Sequence, residues 1–285
     1  MILGIALILA STVVYNGSVV MLAAVARRQP GSSNLVLAVS RRASGLSAIM
    51  LNLLGWSLEV GALFFIPLTL ARILSVAGVG VLLGLARWAL KEPLGIKEFV
   101  GSGLIVLGVA AVGLELPHFG TSSPTPEGWA LLLVTLGPWL VLPHLFRILW
   151  HSRVSTWWAI ASGLAYALSG LFTKALADTL SLESAPALVP LVIGVTVAGF
   201  LGFAAELEAL QRGTASVTVP VILALQTVVP ILCAPFLFRE TWPAGVLPRV
   251  LLIVGILLAT AGAIVLSDSS NRALSRVGGP WADGA

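Results

Sequence analysis

Five charged side chains lie inside long apolar runs of this chain: Glu59, Arg72, Lys174, Glu206 and Glu208. A charge at the centre of a membrane helix costs about 2.5–3.5 kcal/mol on insertion scales, so such residues are candidates for holding an ion, carrying a proton or pairing. Glu59 and Arg72 flank a short turn between two apolar runs, and at about 1.5 Å of rise per residue their depths differ by only about 3 Å. They can pair, which would keep the carboxylate ionised and tie the hairpin together, in competition with a role in binding or gating. Glu206 has no such partner in its own hairpin. The position matching Arg72 is Val219, and the nearest base, Arg212, falls outside the run. Glu206 is therefore the carboxyl group best placed to exchange a proton or a cation. Gly199, Gly202, Ala209 and Gly213 share its helix face, a stripe that equally serves close helix packing. Lys174 lies near a helix end and can snorkel to the interface, and Glu208 points to another face nearer the helix end. Asn16, Asn52 and His144 are uncharged candidates for lining a cavity. Gln226 and Thr227 add polar atoms to a run in which Pro230 and Pro235 free carbonyls or kink the helix.

These residues sit in a chain built for lipid. With 58% hydrophobic and 10% charged residues and a mean hydropathy of +1.03, it is far more apolar than a soluble domain of 285 residues. The net charge of +4 resides in short loops, which reads as topology and excludes a nucleic-acid surface. The sequence lacks a phosphate-binding Gly-x-x-x-x-Gly-Lys loop, a Gly-x-Ser-x-Gly elbow and a His-Glu-x-x-His pair, so neither an enzyme nor a cofactor is expected. A lone Cys233 offers no disulfide and no metal cluster, and any metal site stays unassigned.

An apolar core of roughly 30 Å needs about 20 helical residues. Nine runs meet that length, near 2–24, 45–65, 68–90, 97–116, 127–148, 156–177, 186–209, 216–238 and 248–267. Backbone polar groups must be satisfied internally in lipid, so the expected fold is all-α, with nine transmembrane helices. The first run begins at Ile2 without a basic leader and reads as a retained helix. Residues 25–44 are too polar to span and form a loop with a turn near 34–39. The tail 268–285 is expected to be disordered and cytoplasmic. Counted over alternate sides of nine spans, twelve of the sixteen Lys and Arg fall on one side and two on the other, which predicts N-out and C-in.

The chain also repeats itself. Residues 57–92 and 204–240 each carry a glutamate in an apolar run, then Ala-Leu, a turn, a second apolar run and a closing pair, Lys91-Glu92 or Arg239-Glu240. Gly101 and Gly108 match Gly255 and Gly262, while Ser11, Tyr15 and Ser18 match Ser162, Tyr166 and Ser169. Two four-helix units, 1–116 and 156–267, are thus expected, joined by a linker helix within 117–155. An odd linker inverts the second unit, the arrangement of many alternating-access transporters.

The Ala-Leu step, the Leu-x-Glu or Phe-x-Glu helix ends and the Gly-x6-Gly spacing resemble the drug/metabolite transporter superfamily. The four-helix unit is similar to the small multidrug resistance subunits, and the chain looks like a fused antiparallel pair of them. The nine-run layout, the glutamate in the second run and ASVTVPV at 215–221 are similar to the NIPA magnesium transporter branch. The small multidrug subunits carry their carboxylate in the first helix, whereas here the first run has Asn16 and no acid. The resemblance implies a secondary transporter of the cell membrane, with a midplane site moving a small metabolite or cationic solute, in one version against protons. The alternatives are a magnesium or divalent-cation permease, a flippase for a lipid-linked anion using Arg72 and Lys174, and a scaffold subunit that transports nothing. Site candidates are Glu206, Glu59, Arg72, Gln226, Asn16 and Asn52, and the expected partners are the transported solute, the bilayer and, as one assembly, a second copy of the chain.

Overall fold

The computed structural model describes residues 2–29, 34–63, 65–66, 68–114, 129–130, 134, 137–138, 155–181, 188–238 and 245–276, with some side chains inside the helices excepted. The principal helices among them are α1 (Ile2–Ala26), α2 (Leu35–Ser40), α3 (Ala43–Leu63), α4 (Leu68–Ala89), α5 (Ile96–Leu114), α6 (Ser155–Ser181), α7 (Leu188–Arg212), α8 (Ala215–Phe238) and α9 (Val246–Arg276). The short α2, where the sequence suggested a turn, is started by Asn34, whose side chain accepts the Leu37 N–H at 3.1 Å.

Four of these helices are long and apolar enough to cross a membrane: α1, the Ser155–Leu176 part of α6, α7, and the Val246–Leu266 part of α9. Their outward residues are large and apolar, among them Leu9, Phe200, Ile253 and Leu257, as expected of a multi-pass membrane protein whose surface meets lipid chains. The nine membrane-spanning helices expected from run length are therefore corrected to four among the described residues, and the orientation counted over nine alternations lapses with them. Run length admits every apolar stretch near 20 residues, whereas among the described residues these four combine span length with sustained mean hydropathy. Most of the run at 127–148, with His144, lies outside the described residues, although Trp129 stacks on Phe172 of α6 at 4.6 Å. The final helix continues past 267 to Arg276.

Packing follows the internal correspondence of the sequence. The most extensive pairs are α6 with α7, α5 with α9, and α1 with α3; next come α6 with α8 and α1 with α4. The central pair is held by glycines. A Cβ at Gly108 would fall 2.5 Å from Gly255 O, and one at Gly262 2.5 Å from Gly101 O. Register 101 to 262 and 108 to 255 means that α5 and α9 cross antiparallel, backbone to backbone, at positions where only glycine fits.

Candidate functional site

The site begins at two matching helix contacts. Ser11 Oγ of α1 donates to Gly55 O of α3 at 2.7 Å, and Ser162 Oγ of α6 donates to Gly202 O of α7 at 2.9 Å. One turn further along α1 and α6, each tyrosine packs on the same glycine. A Cβ at Gly55 would meet Tyr15 at 3.1 Å, and one at Gly202 would meet the Tyr166 ring at 2.9 Å. In α6 the serine fixes the helix register and the glycine admits the ring, so the Tyr166 phenol is carried to the level of Glu206, one turn beyond Gly202.

At Glu206 the arrangement closes. Tyr166 Oη donates to Glu206 Oε2 at 2.7 Å, and the carboxyl group is 1% exposed. Tyr166 and Tyr15 themselves are half-buried in mid-helix. Tyr15 is hydrogen-bonded with Asn52. Asn52 in turn donates to Ser18 Oγ at 3.2 Å. The contacts thus join Tyr166 with Glu206 and Tyr15 with Asn52, and the equivalence of the halves is broken at one position. Asn52 of the first half corresponds to Gly199 of the second, so Tyr15 engages an amide whereas Tyr166 engages the carboxyl group.

The other residues singled out by the sequence go elsewhere. Asn16 is buried, donates to Thr12 O at 2.7 Å and faces Gly78 of α4, at the α1–α4 contact. Gln226 is half-buried on α8, where Thr227 Oγ1 bonds back to Leu223 O at 2.9 Å. The Arg72 side chain is outside the described set, so its pairing with Glu59 is not placed. Glu208 departs from the interfacial position expected of it. It is 4% exposed and ion-paired with Arg212 at 2.6 Å, one helical turn on, while that guanidinium lies 5.4 Å over the Trp158 ring. Arg212 is thus engaged away from Glu206.

Tyr166 and Tyr15 are the functional candidates that sequence reasoning missed. Their signal was present: they are the two tyrosines of the chain, and they align with each other across the repeat. What a tyrosine faces, however, depends on how α6 lies on α7. Among the described residues, no group of three or more His, Cys, Asp or Glu side chains converges as a metal cluster.

The helices and their packing define a multi-pass membrane protein with a secondary-transport-like helical architecture. The chain is 23% identical over 238 residues to the Arabidopsis thaliana protein named Probable magnesium transporter NIPA9, covering 78% of this chain and 68% of that protein. This is a distant resemblance to a magnesium-transporter family. No protein-family profile and no solved structure matches the chain.

Proposed function

We propose that the chain is a permease for magnesium or a related divalent cation, a distant member of the drug/metabolite transporter superfamily with its site between the two halves. The observation that carries the reading is Glu206, a carboxyl group buried within an apolar helix bundle that accepts from Tyr166 Oη at 2.7 Å. The distant magnesium-transporter relative supports it. Magnesium dehydrates reluctantly and is commonly held through its waters by one or two carboxylates, so Glu206 with Glu59 suffices without a dedicated ligand cage. In this reading the two glutamates attract the hydrated ion, and the phenols of Tyr15 and Tyr166 with the Asn52 amide hydrogen-bond to its water shell. Tyr166 holds Glu206 until the ion arrives, and the ion competes for the carboxylate.

The test uses purified protein in vesicles enclosing a magnesium-sensitive dye and a pH dye. Magnesium entry without a matching proton flux is expected, and Glu206→Gln should weaken it about tenfold, the equivalent of about 1.4 kcal/mol of binding. Unchanged entry in that variant removes Glu206 from the site. Proton flux driven by an organic cation and abolished by Glu206→Gln would instead favour proton-coupled exchange.

A further inference from the structure

Glu92, in the pair that closes the first copy of the repeat, takes no part in the site around Glu206, yet it is only 3% exposed. After α4 ends at Ala89, Lys91 adopts a left-handed backbone with φ 55, and the Glu92 N–H reaches back to Ala86 O at 3.2 Å. The turn delivers the carboxylate to the other half of the molecule. Glu92 Oε1 accepts the Ala215 N–H at 2.8 Å and Oε2 accepts the Ser216 N–H at 3.0 Å, so it caps the N-terminus of α8. Negative charge is favoured there by the helix dipole.

Arg27, just past α1, completes the layer. Its Nη2 donates to Glu92 Oε1 at 2.5 Å and to Gly213 O at 2.9 Å, and its Nε donates to Leu210 O at 3.1 Å. It thereby satisfies carbonyls at the C-terminal end of α7. Gln211 reciprocates from α7, donating to Ala26 O at 3.2 Å and Gln29 O at 2.7 Å at the end of α1. Four helix ends, two from each half, meet in one polar layer. Beneath it Val19, Ala23, Leu207, Leu210 and Val219 belong to one buried apolar cluster. Glu206 lies about 9 Å along α7 from its Arg212 end, at about 1.5 Å per residue, so layer and cluster stand between it and that face.

The chemistry of this layer distinguishes it from ordinary packing. Most of the backbone groups that Glu92, Arg27 and Gln211 hold are helix-terminal, which a helix leaves unpaired and which water can satisfy equally well. The layer can therefore part without unwinding a helix, and the charges it releases are soluble ones. We propose that it is the closed gate of the pathway at the Arg27 end, with Glu92 as the latch, and that its parting admits the cation to Glu206. The proposal rests on the transport reading, but its test reads access rather than flux.

With Cys233 replaced by alanine, a single cysteine is introduced at Ala23, buried under the layer, or at Ile8, buried near the opposite end of α1. Each protein is reconstituted in vesicles and probed from both faces with a membrane-impermeant methanethiosulfonate. Adding Glu92→Gln should raise labelling at Ala23→Cys about tenfold, within the range that one coupling interaction moves a two-state equilibrium. Labelling at Ile8→Cys should not change. Unchanged labelling at Ala23→Cys overturns the gate, and so does a rise at both positions, which marks general loosening of the fold. Should Glu92→Gln fail to reconstitute, Arg27→Lys carries the same prediction, because it keeps the charge and loses the planar fork. Absence of magnesium entry in the same vesicles would remove the permease reading and leave the access result standing.

Discussion

Tyr166 donates to Glu206 at 2.7 Å, and a single oxygen atom separates the two explanations for that contact. An intramolecular hydrogen bond contributes about 0.5–1.5 kcal/mol to stability, so Tyr166→Phe should cost no more than that in thermal unfolding. If the phenol also orders the water shell of the ion, the same variant should lower magnesium affinity about fivefold, roughly 1 kcal/mol. Vesicle uptake with unchanged affinity would leave the phenol a purely structural role. The glycine beneath the ring gives a second test with its own control. Gly202→Ala places a methyl group 2.9 Å from Tyr166 and must shift the ring, whereas at Gly199, on the same face, the added Cβ meets Ser169 Oγ at 3.4 Å. Overpacking costs about 1–3 kcal/mol, so Gly202→Ala should lose both stability and uptake while Gly199→Ala keeps both. Equal behaviour of the two variants would detach Tyr166 from the site.

Among the elements, the crossing of α5 and α9 carries the contact between the halves, and its test needs no knowledge of the substrate. Hydrocarbon gives two helices no hydrophobic reason to associate, so close backbone approach and van der Waals contact must hold them. Gly108→Ala would set a methyl 2.5 Å from a backbone oxygen of α9, which cannot rotate aside, whereas a Cβ at Gly103 of the same helix meets nothing within 4 Å. Gly108→Ala should therefore lower the unfolding midpoint in detergent by the equivalent of about 1–3 kcal/mol. Gly103→Ala should be neutral or gain a few tenths of a kcal/mol from helix propensity. A Gly108→Ala protein as stable as its Gly103→Ala counterpart would mean that the helices do not meet at this register.

At the scale of the whole molecule, the halves meet along α5 and α9 and again through Arg27, Glu92 and Gln211. These contacts do not depend on the covalent link between the halves. A chain cut between residues 117 and 150 and expressed as two pieces should accordingly reassemble in the membrane, with a tag on one piece recovering the other. Recovery should fall when Gly108→Ala and Glu92→Gln are combined. The two positions belong to separate contacts, so their effects should add. Pieces that never co-purify would show that the linker region itself supplies the association.

Hydropathy, repeats and residue type, read along the chain, were enough to place this protein in a membrane, to locate most helices within a few residues, and to match Gly101 and Gly108 with Gly255 and Gly262, and Tyr15 with Tyr166, as repeat counterparts. Those properties are local or periodic, so they survive in one dimension. That Gly101 meets Gly262 and Gly108 meets Gly255 came from the structure. Run length predicted nine membrane-spanning helices, and among the described residues four are long and apolar enough to cross. Which groups meet was not legible. Tyr166 reaches Glu206 across 40 residues, and Arg27 reaches Glu92 across 65. Rotation and register of one helix on another decide such meetings, and apolar faces in lipid are nearly interchangeable until small residues and buried hydrogen bonds select among them. The sequence by itself determined that Glu206 sits in an apolar helix without a base in its hairpin. Only the tertiary structure decided that a phenol from the neighbouring helix holds it, and that a carboxylate and a guanidinium from the other half close the end of the helix above it.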